Sequence, residues 1–236
     1  MSNSEKNNFK FQNTFSRFIS FIIIYIKYYS YYLNMSHNID KIYFINLNRR
    51  SDRRDNIERE LNEFGLEYER FEAIETPGMG IHGCGLSHLA VLKLAKAKNY
   101  KNVLIMEDDF TFLVSKDEFE QQLTSFFNLT IPFDVLMLSY NIAGFENTEY
   151  EVINKVKFSS TASGYLVAQH YYDKLIDLYE HAMPLLCQTG EHWNYANDIV
   201  WKDLQAVDTW YYFNKRIGKQ ASGYSDNSER YVEYDA

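Results

Sequence analysis

From Lys41 onward the chain alternates between two textures of apolar residue. Unbroken runs, "KIYFINL" (Lys41 to Leu47), "NVLIM" (Asn102 to Met106) and "FDVLML" (Phe133 to Leu138), lack the in-and-out alternation of a half-solvated strand. Such runs predict strands buried on both faces. Between them the period changes to that of a helix. Ile57, Leu61 and Phe64 form a stripe in "SDRRDNIERELNEFG", with Ser51 in the N-cap position, Asp52 in the first turn and Gly65 as the stop. "YERFEAI" (Tyr68 to Ile74) alternates and predicts a second strand. "ETPGMGIHGCG" is rich in glycine and predicts a loop, followed by a helix in "LSHLAVLKLAKAKNY" with Leu86, Leu89, Leu92 and Leu94 inward. Ser115 and Glu118 have capping-box spacing at the head of "SKDEFEQQLTSFF". "SGYLVAQHYYDKLIDLYEHA" predicts strand, turn and helix, "ANDIVWKDLQ" a helix entered at Asn197 or Asp198, and "TWYYF" a last strand. Strands and helices in this order predict an α/β fold, a mostly parallel sheet with helices on both faces. Ligands of such sheets bind beyond the carboxyl ends of the strands.

Composition places limits on function. With 46% hydrophobic and 24% charged residues in 236, the chain is globular, with one large domain the simplest reading. A net charge of −8 argues against a nucleic-acid partner, so any phosphate must meet a local basic cluster or a bound cation. Two cysteines, Cys84 and Cys187, form no disulfide framework and no zinc spacing, and Cys84 is read as a small core residue, not a nucleophile. Residues 1–34 stand apart. They contain Glu5 against Lys6, Lys10, Arg17 and Lys27, a net +3 that leaves −11 on the remainder. Their apolar part, within residues 15–33, is short for a membrane span of roughly 20 residues. It is either a signal anchor that associates with a membrane or an extension outside the fold, which then begins at Met35. The compartment stays open between cytoplasmic and membrane-associated.

Two clusters carry candidate chemistry. Glu107, Asp108 and Asp109 follow directly on a core strand. In an extended segment Glu107 and Asp109 point the same way, so they can converge on one cation while Asp108 faces elsewhere. Oxygen donors of this kind suit Mg²⁺ or Mn²⁺, and such ions bridge carboxylates to phosphates. The alternative is a solvated acidic turn. Arg49, Arg50, Arg53 and Arg54 mark the junction of the first strand with its helix, where a helix N-terminus and guanidinium forks both favour anions. The alternative there is a helix face paired with Glu58.

"YFINLNRRSDRRDNIERELNEFGLEYERFEAI", "GCGLSHLAVLKLA" and "VLIMEDDF" together resemble the family 25 glycosyltransferases, which include bacterial lipopolysaccharide glycosyltransferases and procollagen galactosyltransferases. The resemblance continues through "TASGYLVAQHYYDKLIDL", "ANDIVW" and "KQASGYSDNS". It implies a GT-A-like fold for residues 35–236 and a nucleotide-sugar donor, a UDP-sugar foremost. It further implies inverting transfer of galactose or a related hexose to a glycan, lipid-linked glycan or protein hydroxyl. Glu107 and Asp109 would hold Mn²⁺ (or Mg²⁺) as a DxD-like motif, with Asp108 beside them. Asn46, Arg49 and Arg53 would lie against the nucleotide, and Gly85, Ser87 and His88 match a further block, in which Ser87 is a further nucleotide-contact candidate. His88 is equally read as a hydrogen-bonded structural residue. Asp198 is the candidate base and Glu191 the reserve, Asp226 would hold sugar hydroxyls, and His192 could complete the metal shell. Asp198 could instead be a plain helix cap. A catalytically inactive sugar-binding protein and a metal-dependent phosphohydrolase are the competing readings, though a hydrolase generally needs a second metal and more acids than this.

Overall fold

A computed structural model describes residues 38–225 and 230–234. The apolar N-terminal stretch and Asp226 lie outside the described residues, among which no helix is long and apolar enough to cross a membrane. In chain order the elements are β1 (Lys41–Asn46), α1 (Ser51–Glu63), β2 (Glu69–Glu72), α2 (Gly80–Ala97), β3 (Asn102–Glu107), β4 (Phe110–Phe112) and α3 (Lys116–Asn128). Then follow β5 (Val135–Met137), β6 (Asn141–Glu146), β7 (Ile153–Ser160), β8 (Gly164–Ala168) and α4 (Tyr172–Thr189). The last part holds α5 (His192–Tyr195), α6 (Asn197–Val200), α7 (Lys202–Val207), β9 (Trp210–Phe213), β10 (Gly218–Gln220), β11 (Gly223–Ser225) and β12 (Arg230–Val232).

Among the described residues, eight strands form one sheet in the order β2-β1-β3-β8-β5-β9-β7-β6. Six of the eight run the same way; β8 and β7 are reversed, pairing antiparallel with both neighbours. The α/β class and the predominantly one-way sheet are as expected, with helices on both faces. The physical reason is visible along β3. Val103 and Ile105 pack with Leu89, Leu92 and Ala95 of α2 and Leu175, Ile176 and Tyr179 of α4. Leu104 and Met106 pack on the opposite side with Ile57 and Leu61 of α1 and Phe119, Leu123 and Phe126 of α3. Both faces are dry, so every position is apolar.

Several boundaries differ from expectation. The glycine-rich stretch is not a loop up to Gly85, because α2 already begins at Gly80. A Cβ on Gly83 would overlap the Ile74 carbonyl oxygen and come within 2.8 Å of Thr76 Oγ1. Glycine is required there for close approach, not for turning. Ser51 is the first helical residue, and Arg50 holds the cap position of α1. Its guanidinium grips Asp52 at 2.9 and 2.8 Å, and that bond pulls the Asp52 carboxyl down to about 2. The last predicted helix breaks into α6 and α7 at the fully buried Trp201. The β6–β7 hairpin, mixed in pattern, was not anticipated. By contrast Ser115 caps α3 as expected, accepting from the Glu118 amide at 3.3 Å. Ser115→Ala is expected to cost about 1 kcal/mol, read from a thermal or urea melt.

Candidate functional site

β1 and β3 run parallel with Ile45 opposite Glu107, so both deliver their carboxyl ends to one edge of the sheet. The antiparallel β8 starts at the same edge, where the Glu107 amide donates to the Ser163 carbonyl at 2.9 Å. At this edge lies a cleft of about 300 Å³. Its walls include Glu107, Asp108, Asp109, Arg49, Arg53 and Cys84, and it is closed by Gln220, Tyr224 and Tyr234 of the C-terminal segment.

The pleat of β3 decides where the acids go. Glu107 continues the Val103–Ile105 side, towards α2, where His88 Nε2 stands 3.0 Å from its Oε1 and Cys84 Sγ donates to the same oxygen at 3.7 Å. Asp108 continues the other side, towards α1, where it accepts from Asn46 Nδ2 at 2.7 Å and from Arg53 Nη1 at 3.0 Å. The chain turns at Asp109, so strand alternation ends there. Asp109 Oδ2 takes the same Arg53 nitrogen at 2.9 Å and Gln220 Nε2 at 3.1 Å. The expectation that Glu107 and Asp109 pair while Asp108 stands aside is therefore corrected. Asp108 and Asp109 share one guanidinium, and Glu107 faces an imidazole. The first positive charge at the acid turn is Arg53 itself.

Burial pushes the Asp109 carboxyl up to about 7, and the Glu107 charge adds to it against the opposing Arg53. Burial also raises Asp108, with Arg53 and Asn46 opposing. Burial works against the Arg53 charge, but Asp109 and Asp108 more than offset it and keep the guanidinium protonated. The Cys84 thiol is pushed well above its ordinary range by burial and by the Glu107, Asp198 and Asp109 charges, so it is no nucleophile. A divalent ion fits the acid turn on one specific count. Asp109 Oδ1 is buried and has no hydrogen-bond partner among the described residues, and the surrounding donors are carboxylate oxygens, which suit Mg²⁺ or Mn²⁺.

The other candidates fall into four groups. Arg49 lines the cleft and is bonded to Glu75 at 2.7 Å, on the rim. Asn46 and Ser87 are not cleft surfaces. Asn46, 1% exposed, bonds Asp108 and the Arg50 carbonyl and accepts from Arg70. Ser87 is fully buried, accepting from the Ile74 amide and donating to the Gly83 carbonyl. Both are corrected from nucleotide contacts to residues that hold the site's frame. Asp198 is the second residue of α6 and not its cap. Its Oδ2 accepts from the Thr161 amide at 3.0 Å, and burial raises its carboxyl while that bond opposes. Thr161 has φ +80°, a left-handed conformation that a β-branched residue rarely adopts. Strain of this kind concentrates at working sites. Asp198 is not in the cleft wall, but its charge is felt at Glu107's neighbours Cys84 and Tyr234. Glu191, bonded to Asn194, and the exposed His192, edge-on to Trp193, do not join the acid turn. Gln220 and Tyr234 were not singled out from sequence; "KQASGYSDNS" was the only signal that this tail returns to the site.

The profile of Glycosyltransferase family 25 (LPS biosynthesis protein) matches residues 39–79 and 78–185, more than half of the chain. The chain belongs to glycosyltransferase family 25. Relatives described as "Glycosyltransferase 25 family member" include one from Drosophila melanogaster, 34% identical over 32% of this chain, and one from Aedes aegypti, 32% identical over 31%. Each match spans 17% of the relative's own length. Among solved structures, A197 from STIV aligns with a TM-score of 0.44 at 10% identity, covering 83% of this chain and 94% of that one. A glycosyltransferase involved in the glycosylation of the major capsid of PBCV-1 aligns with a TM-score of 0.40 at 9% identity, covering 74% of this chain and 92% of that one. The matched region contains the acid turn, Arg49, Arg53, Cys84 and His88, whereas Asp198 and Gln220 lie beyond it.

Proposed function

We propose that the chain transfers a hexosyl group from a nucleoside-diphosphate sugar, a UDP-sugar foremost, to a hydroxyl of a glycan, lipid-linked glycan or protein. The observation that supports this reading is the shared cleft. The acid turn and two arginines open into one cavity at the strand ends of a family 25 chain. Arg49, on the rim, is placed for an anionic oxygen of the donor, and Arg53 keeps Asp108 and Asp109 close together despite their charge. Mn²⁺ or Mg²⁺ held by Asp109, with Asp108 beside it on the shared Arg53, would supply Lewis-acid neutralisation of the departing diphosphate.

Transfer with inversion needs a base on the face opposite the diphosphate. In our reading Asp198 takes the acceptor hydroxyl's proton as the new carbon–oxygen bond forms and the anomeric bond to diphosphate breaks. Two features favour Asp198 over Glu191. Burial raises its carboxyl above the ordinary carboxylate range, which strengthens it as a base, and the Thr161 amide fixes its orientation. Trp193, widely exposed on α5, offers a sugar-stacking face nearby in sequence.

The test is to incubate the purified full chain with a panel of nucleotide sugars, Mn²⁺ and candidate acceptors, and to measure free nucleoside diphosphate. Sugar-dependent release is expected, lost by roughly 10²–10⁴-fold in Asp198→Asn if that group is the base. Consumption of plain nucleotides would select the hydrolase reading. Binding of the donor without release would select a sugar-binding protein.

A further inference from the structure

We propose that Cys84, His88 and Glu107 form a site for a zinc-class divalent ion, beside the Asp108–Asp109 pair of the acid turn and using neither of those two carboxylates. The three ligand atoms lie within 4.8 Å of one another, with Oε1 of Glu107 3.0 Å from His88 Nε2 and 3.7 Å from Cys84 Sγ. Bonds of about 2.1 and 2.3 Å to nitrogen and sulfur place tetrahedral ligands about 3.5 Å apart, so the cluster needs only small shifts to close on zinc. Cys84 and His88 are four residues apart on α2 and therefore lie on one helix face, and Glu107 enters from the end of β3. Sulfur and imidazole are donors of zinc and not of magnesium, and one carboxylate is compatible with that set.

A second observation independently points to a ligand role for His88. The ring is fully buried, and its other nitrogen, Nδ1, lies 2.8 Å from the hydroxyl of the buried Tyr165. An outer-shell partner of this kind fixes the ring of a metal-binding histidine. A phenol both donates and accepts, so it serves either tautomer. Without metal, Nε2–H donates to Glu107 and Nδ1 accepts from Tyr165. With zinc, the imidazole proton sits on Nδ1 and donates to Tyr165, Nε2 and Sγ bond the ion, and the Cys84 proton leaves to solvent. Since Cys84 and Glu107 both line the cleft, the fourth coordination position opens onto it. An ion bound here would hold Glu107 on the α2 side, where its carboxylate already lies against His88.

The inference stands on this cluster alone and does not depend on the transferase reading. The test uses the full chain carrying Cys187→Ser, which removes the exposed cysteine. Co²⁺ titration should give a thiolate-to-cobalt charge-transfer band with tetrahedral visible bands, saturating at one equivalent and displaced by Zn²⁺. Cys84→Ser, nearly isosteric, should abolish the charge-transfer band, while Asp109→Asn should leave it intact. Tyr165→Phe should keep the band and lower Zn²⁺ affinity about 10- to 100-fold. A purely octahedral, oxygen-type cobalt spectrum in the wild-type chain would overturn the assignment. So would a thiolate band that persists in Cys84→Ser.

Discussion

Asp109→Asn is expected to lower metal-dependent nucleotide release by about 10²–10³-fold, the scale of losing one preorganised electrostatic contact to a developing charge. The same change should leave the metal-free protein as stable as wild type or more so at pH 8. The sign follows from the carboxyl's environment. Asp109 in the folded chain titrates near 7, raised first by burial and then by Glu107, against an ordinary value of 3.8. Below 3.8 the group is protonated whether folded or not and contributes nothing. Between 3.8 and about 7 the unfolded chain loses the proton while the folded one keeps it, so stability declines as pH rises. Above about 7 the full penalty is present. Asparagine has the shape of the protonated acid and no charge, and Arg53 retains Asp108 at 3.0 Å. The variant's advantage in melting temperature should therefore appear at pH 8 and vanish below pH 4. Turnover at the wild-type rate in the variant would remove Asp109 from the proposed machinery, whatever the melts show.

Phe110→Ala should be the most damaging single truncation near the site, costing about 3–5 kcal/mol. The ring is 2% exposed and fills the space between β8 and β10. A Cβ on Gly164 would sit 2.5 Å from its Cε2, and one on Gly218 would overlap Cζ. Phe112 meets it edge-on at 5.0 Å. Neither glycine has a side chain that could move into the void, so the cavity would persist. At roughly 2–4 °C per kcal/mol for a domain of this size, the melting temperature should fall by about 6–20 °C. A fall of only a degree or two would mean that the ribbon of β4 and β10 packs independently of the core. Because Phe110 directly follows Asp109, residual activity should drop further than the melt alone explains.

The parts of this fold legible in the sequence are those governed by burial. β1, α1 and β3 announce themselves because a strand dry on both faces must be apolar throughout, and a helix on such a sheet must carry a stripe. The same uniformity conceals strand direction. Nothing in "GYLVA" distinguishes a reversed β8 from a parallel one, since both faces are covered either way. Glycine misled for a different reason. At Gly83 it serves contact with Ile74, a relation across nine residues that no local pattern expresses. The acid turn was visible as a cluster, but its partners were not. Arg53 and His88 belong to helices on opposite faces of the sheet, and only the pleat of β3 determines which acid each one meets. Asn46 and Ser87 were identified as positions and misread as surfaces, because a polar residue in a motif can serve the ligand or the scaffold that presents it.

The parallel pairing of Ile45 with Glu107 has a consequence for evolution of this edge. A slip of β3 by one residue would exchange its two apolar sets between the helical layers and swing Glu107 away from the imidazole towards the guanidinium. Grease therefore aims the acid. Mutations far down the strand that loosened its alignment would retune the chemistry without altering a single charged side chain.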